Sequence, residues 1–120
     1  MVADDEPALA LLLEAVLSGA GFEVVAAADG PAAVSQYREK GPFGCVILDH
    51  QMPGMSGREA FAEIRKLDGA ARAIVLSGEP LSDPDKPPIW AQGFDGYLSK
   101  PFDNDELVRA VKDLLGSAPE

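Results

Sequence analysis

Two short runs, "CVIL" at residues 45–48 and "AIVL" at residues 73–76, are apolar at every position. A strand that alternates apolar with polar residues rests one face on a core and leaves the other in water. A strand with no polar position has to be covered on both faces, which is the situation of a parallel sheet sandwiched between helices. The intervening segments supply such helices. Leu9, Leu12, Leu13, Val16 and Leu17 recur at three- and four-residue spacing, in a helix that Pro7 can open and that Gly19 and Gly21 stop. After "EVVAAA" (23–28), which reads as a short strand, a second helix follows Asp29 with Ala33, Val34 and Tyr37 inward and Arg38, Glu39 and Lys40 outward. Ser56 and Glu59 stand at capping-box spacing ahead of a third helix that should bury Ala60, Phe61 and Ile64. "GYL" (96–98) is a brief strand. Asp103 and Glu106 repeat the capping pattern before a last helix carrying Leu107, Val111, Leu114 and Leu115. "MVA" at the start supplies a short first strand, and the alternation of strand and helix predicts an α/β fold.

One stretch breaks the pattern. "GEPLSDPDKPP" (78–88) places Pro80, Pro84, Pro87 and Pro88 where a fourth helix should begin. Proline can open a helix and cannot continue one, so ordered helix is expected only over Lys86 to Gln92, behind a loose loop.

Size and charge narrow the function. The 120 residues, 47% of them hydrophobic, suffice for one domain with one core. Ten basic against twenty acidic residues give a formal charge of −10. That surface repels phosphate backbones and anionic lipid, which argues against direct nucleic acid or membrane binding. No apolar stretch reaches the roughly 20 residues of a membrane span, and acids begin at Asp4, so no signal peptide is expected. A single cysteine allows no internal disulfide, which suits the cytoplasm.

The polar residues then fall in a telling place. Asp4 and Asp5 follow the first strand, Asp49 the third, Ser77 the fourth, and Lys100 comes just after the fifth. All lie on the carboxyl edge of a parallel sheet, where such sheets bind ligands at the point of strand-order reversal. Three carboxylates gathered there repel one another and need positive charge. Lys100 supplies one unit; a hard divalent cation with oxygen ligands, such as Mg²⁺, supplies two. A metal beside a carboxylate and a lysine is a receptor for a phosphoryl group, and a carboxylate can itself be the nucleophile, giving an aspartyl phosphate. Ser77 would donate its hydroxyl to a phosphoryl oxygen.

The stretches "DDEP", "ILDHQMPGMSG", "VLSGEP" and "GYLSKPF" together resemble the four signature segments of the receiver domains of two-component response regulators, in order and across essentially the whole chain. The resemblance implies a flavodoxin-like, doubly wound, five-stranded parallel sheet of order 2-1-3-4-5 with five helices, the fourth short or irregular. It implies one receiver domain over residues 1–120, stand-alone and similar to chemotaxis regulators, with no output domain. It makes Asp49 the phosphoacceptor, Asp5 a direct Mg²⁺ ligand, Asp4 a second acid acting mainly through water, and the backbone carbonyl of Gln51 the remaining protein ligand; Mn²⁺ could replace Mg²⁺. Lys100 would pair with the phosphoryl group, with a cis bond to Pro101 after it. Ser77 and Tyr97 resemble the switch pair that couples phosphorylation to the face formed by the fourth helix, fifth strand and fifth helix. The implied partners are a sensor histidine kinase or histidine phosphotransfer protein and a downstream protein. Two departures stand out: only Met1, Val2 and Ala3 precede the acid pair, and the prolines interrupt the fourth helix.

Several residues have a plainer reading. Glu6 is expected to cap the first helix near its positive end rather than to bind metal. His50 is read as a loop residue pointing away from the site, Cys45 as a small core residue, and Phe102 as packing. Tyr97 as the switch is preferred to core filler because it stands three residues before Lys100. Trp90 either packs under its own short helix or forms an exposed partner contact. Gln51 and Glu79 flank the site and bear on the lifetime of the phosphoryl group. Two other functions compete with the phosphorylated switch. A phosphatase with an aspartate nucleophile would want an acid two residues on, where Gln51 stands; a receiver-like binding module that is never phosphorylated would not need the full set of site residues.

Overall fold

The computed structural model describes residues 1–50, 52, 54–77, 94–99 and 102–116. Five parallel strands, β1 (Val2–Ala3), β2 (Ala26–Ala27), β3 (Val46–Asp49), β4 (Ala73–Ser77) and β5 (Gly96–Ser99), form one sheet in the order β2-β1-β3-β4-β5. Among the described residues the helices are α1 (Pro7–Gly19), α2 (Gly30–Lys40), α3 (Gly57–Leu67) and α4 (Asn104–Gly116). The last is the expected fifth helix; the segment expected to hold a short fourth one, with Glu79 and Trp90, lies outside the described residues.

The unbroken apolar runs are explained by two separate cores. Ala3, Val46, Leu48 and Ala73 pack with Ala33, Val34 and Tyr37 of α2 and Ala60, Phe61 and Ile64 of α3. Val2, Ile47, Ile74 and Leu76, the alternate positions of the same strands, pack with Leu13 and Leu17 of α1 and Leu107 and Val111 of α4. The three central strands β1, β3 and β4 are therefore buried on both faces.

Local chemistry sets the helix starts. Asp29 Oδ1 accepts from Ala32 N at 2.8 Å, opening α2. At α3 the capping box closes in both directions, with Glu59 N donating to Ser56 Oγ at 3.1 Å and Ser56 N donating to Glu59 Oε1 at 3.2 Å. Asp103 Oδ1 accepts from Glu106 N at 2.7 Å ahead of α4. Near the other end of α4, Arg72 Nη1 donates to the Leu114 carbonyl at 2.6 Å, tying the helix to the residue before β4. Opposite, Phe61 stacks on Phe94 and lies under the Arg65 guanidinium, which reaches Asp95 at 3.6 Å; Asp95 in turn accepts from Ala73 N at 2.9 Å. The entry to β5 is thus anchored on α3 and on the start of β4.

Three expectations need correction. The strand expected over residues 23–28 is only Ala26–Ala27, paired in register with Val2 and Ala3 of β1. Leu12 belongs to the helical pattern of α1 and yet is 48% exposed, beside Leu11 at 68%; Leu13 and Leu17 suffice to seat the helix. Glu6 occupies the N-cap position of α1 without a side-chain cap bond. Its backbone N–H is instead taken by Asp4 Oδ1 at 2.8 Å, and Pro7, lacking an N–H, leaves less to cap.

Candidate functional site

The register of the sheet builds the site. Ala3 pairs with Leu48 across β1 and β3, so the residues one step further, Asp4 and Asp49, emerge side by side at the carboxyl edge. Two-residue alternation places them on the face of Val2 and Ile47. Asp4 and Asp49 are buried, 1% and 3% exposed, and Asp5 is exposed. One carboxylate oxygen from each of the three lies within 4.8 Å of the others. Strand order reverses between β1 and β3, so this is the crevice where a doubly wound sheet receives ligands.

Main-chain bonds hold the two buried acids. Asp4 N donates to the Ala27 carbonyl at 3.2 Å, and its Oδ1 is oriented by Glu6 N. Asp49 pairs with Leu76 of β4; the next residue, His50, donates its N–H to the Leu76 carbonyl at 2.8 Å and accepts from Gly57 N at 3.1 Å. The main chain of His50 is thereby fixed between β4 and α3, in keeping with a structural part for this residue.

Two like charges within 4.8 Å of each other repel by at least about 3 kcal/mol at an effective dielectric near 20. Burial of two of the three leaves little water to screen them. The donor set is oxygen only, without imidazole or thiolate, and that suits a hard divalent cation keeping several waters. At the start of α3, Gly57 N is committed to His50, Glu59 N to Ser56 Oγ and Ala60 N to the Ser56 carbonyl.

Of the other expected site residues, Ser77 is buried at 2% exposure as the last residue of β4, one step beyond the partner of Asp49. Tyr97 is half-buried in β5 opposite Val75. Lys100, Gln51 and the bond to Pro101 lie outside the described residues. Phe102 packs against the core on the α1 and α4 side, as expected. Cys45 is buried, and burial pushes its thiol up to about 11, so it is a core residue and a poor nucleophile. An apolar cavity of about 120 Å³ touching Leu17, Val24, Cys45 and Val111 opens at the amino edge of the sheet, away from the acids. No helix among the described residues is long and apolar enough to cross a membrane.

Sequence reasoning missed Gly57, buried where α3 meets the Asp49 main chain, and the outward Leu11 and Leu12. The second had a signal: Leu11, Leu12 and Leu13 in succession cannot all face one side of a helix.

Comparison with known proteins follows the same line. The family model for the response regulator receiver domain matches residues 1–112. The chain is 34% identical over 120 residues to the sensor protein GacS of Pseudomonas syringae pv. syringae, covering 96% of this chain and 13% of that protein. It thus spans a small part of that relative's length. Among solved structures it is similar to the response regulator TrrA of Thermotoga maritima in complex with Mg²⁺ and BeF, with 37% identity, a TM-score of 0.81, and 94% and 95% of the two chains covered. It is also similar to the receiver domain of a sensor histidine kinase from Pseudomonas aeruginosa PAO1, with a magnesium ion coordinated in its active-site cleft. There the identity is 30%, the TM-score 0.84, and the coverage 97% and 95%.

Proposed function

The chain belongs to the response regulator receiver domain family, and on that premise we propose that it is a Mg²⁺-dependent switch carrying its phosphoryl group on Asp49. The observation that carries this reading is the convergence of Asp4, Asp5 and Asp49 at the strand-order reversal. Receiver domains act in two-component systems as phosphoacceptors for histidine kinases or phosphotransfer proteins. For this chain, proposed as one receiver unit over residues 1–120 working in the cytoplasm, the donor is a phosphohistidine of such a partner.

Asp5 and Asp49, with the Gln51 backbone carbonyl, would hold the cation directly, and Asp4 through water. Bound there, Mg²⁺ or Mn²⁺ supplies charge neutralisation for the carboxylates and the phosphoryl oxygens. An Asp49 carboxylate oxygen attacks phosphorus in line, an O–P bond forms, the P–N bond to the donor histidine breaks, and the departing nitrogen keeps the bond's electron pair. Lys100 pairs with the transferred group, and Ser77 donates its hydroxyl to it. Movement of Ser77 leaves room for Tyr97 to turn inward, altering the surface that a downstream protein reads. Domains of this kind assist their own phosphorylation and dephosphorylation through these groups and turn over no separate substrate. Exposed Leu11 and Leu12 on α1, the helix that starts beside the acids, give the phosphodonor protein an apolar foothold.

The test is transfer of labelled phosphate from acetyl phosphate or a phosphohistidine donor. Label should appear on the wild type, be released by hydroxylamine as an acyl phosphate is, and be absent from Asp49→Asn. Label that survives hydroxylamine, or that persists in Asp49→Asn, refutes the assignment.

A further inference from the structure

Gly54, in the connection from Asp49 to α3, and Gly57, the first residue of α3, stand three residues apart and are glycines for different reasons. Gly54 has φ +78°, where an L side chain is strained, but a Cβ there would meet nothing within 4 Å. Gly57 has no such dihedral; its constraint is space. A Cβ on Gly57 would lie 2.5 Å from the Asp49 carbonyl oxygen, 3.1 Å from the Asp49 carbonyl carbon and 3.4 Å from His50 Cα. All three are main-chain atoms, so no rotamer change can relieve the contact.

We propose that Gly57 is a positioning residue for Asp49: by lacking a side chain it lets α3 seat directly on the Asp49 main chain, and this sets where the Asp49 carboxylate stands relative to Asp4 and Asp5. The helix has little freedom to back away. Its start is closed by the Ser56–Glu59 capping box, its body is buried through Ala60, Phe61 and Ile64, and Arg65 ties it to Asp95. Neither can the connecting segment swing out toward α2, because Gly30 makes a second close approach. A Cβ there would lie 2.8 Å from Met55 Cβ and 3.0 Å from the Met55 carbonyl oxygen. The strain of a methyl group on Gly57 therefore falls on the end of β3. The functional consequence of this placement rests on the reading of Asp49 as phosphoacceptor and metal ligand; the placement itself does not.

Mg²⁺ titrations of wild type, Gly57→Ala and Gly54→Ala, with amide spectra recorded before metal is added, test the proposal. Displacement of a ligand by a fraction of an ångström should weaken Mg²⁺ binding about tenfold or more in Gly57→Ala. The Asp4, Asp49 and His50 amide signals should move already in the metal-free protein. Gly54→Ala pays backbone strain in the same segment without touching Asp49, and should stay within about twofold of wild-type affinity even where its melting temperature falls as far. Gly57→Ala binding Mg²⁺ like wild type, with Asp49 and His50 signals unmoved, overturns the proposal. If Gly57→Ala does not fold, Gly30→Ala takes its place. Its methyl meets mainly the Met55 side chain, so an intermediate loss of about threefold is expected, and wild-type affinity with unmoved Asp49 signals overturns the proposal. A wild type that binds no Mg²⁺ and takes no phosphate refutes the functional reading, while the metal-free spectra still decide the positioning role.

Discussion

Tyr37 Oη donates to Asp68 Oδ2 at 2.6 Å, joining the buried face of α2 to the residue that ends α3. Burial first, and then this bond to a carboxylate, push the Tyr37 phenol from 10.0 up to about 12. A raised folded value means that its stabilisation is complete below pH 10 and is lost as pH climbs through about 12. Cys45, raised from 9.0 to about 11 by burial, acts likewise in the window just below. Asp68 has the opposite sign: the Tyr37 bond depresses it below 3.8, so its contribution holds above that pH and disappears on further acidification. Tyr37→Phe should lower the melting temperature at pH 7 by roughly 3–6 °C. It should also erase the upper part of the alkaline decline while leaving the part due to Cys45. Equal slopes for wild type and variant between pH 10 and 12 would show that folding does not raise the phenol.

The acid cluster makes the metal-free protein less stable than its packing would allow. Asp49→Asn removes one buried charge facing another, so it should melt several degrees above wild type in chelator, by ~1–3 kcal/mol of relieved repulsion. Millimolar Mg²⁺ should reverse the ranking, since it binds the wild-type folded state and raises its melting temperature by mass action. The Mg²⁺ increment should shrink sharply in Asp5→Asn. Thermal melts with and without the ion decide the matter; curves that coincide in both conditions exclude a coupled carboxylate site.

How much of this was legible in the sequence varied with the kind of physics involved. The α/β order, the covered strands and the gathering of Asp4, Asp5 and Asp49 on one edge all follow from periodicity and from where apolar runs stop, and the structure has them. The helix starts at Asp29 and Ser56 were readable because capping is local chemistry. What was not readable depends on partners far along the chain. The bounds of β2 depend on its pairing with β1 and are not contained in "EVVAAA" itself. Which leucines of α1 turn outward depends on where the sheet lies. Gly57 looks like any loop glycine until the main chain of Asp49 is seen beneath it, and the Tyr37–Asp68 bond spans 31 residues. Lys100 and Gln51 remain sequence assignments.

Leu11 and Leu12 are exposed at 68% and 48% on a helix whose other outward residues, such as Ala8, Ala15 and Ser18, are small. Large aliphatic groups in water next to a transfer site offer a protein donor a contact that a small donor does not use. Leu11→Ser should therefore slow transfer from a phosphohistidine protein by about tenfold, a loss of about 1.4 kcal/mol, while transfer from acetyl phosphate stays unchanged. A parallel fall with both donors would point to damage at Asp49 and not to lost docking.

The remaining prediction separates receiving the phosphoryl group from reporting it. Ser77 ends β4, and Tyr97 lies in β5 opposite Val75, two residues earlier on β4. With Asp49 as the proposed phosphoacceptor, its phosphoryl group should draw the Ser77 hydroxyl toward it by a charge-assisted hydrogen bond, and the half-buried Tyr97 should turn in response. Beryllofluoride with Mg²⁺, a mimic of the phosphoryl group, should therefore shift the Tyr97 ring signals and change the fluorescence of Trp90, the chain's single tryptophan. In Ser77→Ala the mimic should still bind, with Mg²⁺ affinity unaltered, because the hydroxyl is proposed to address phosphoryl oxygens and not the metal; the Tyr97 and Trp90 responses should be blunted. Lys100→Ala should likewise spare Mg²⁺ binding, yet weaken the mimic itself, as expected if the ammonium pairs with the group as proposed. Full responses at both rings in Ser77→Ala would mean that the signal leaves Asp49 by another route.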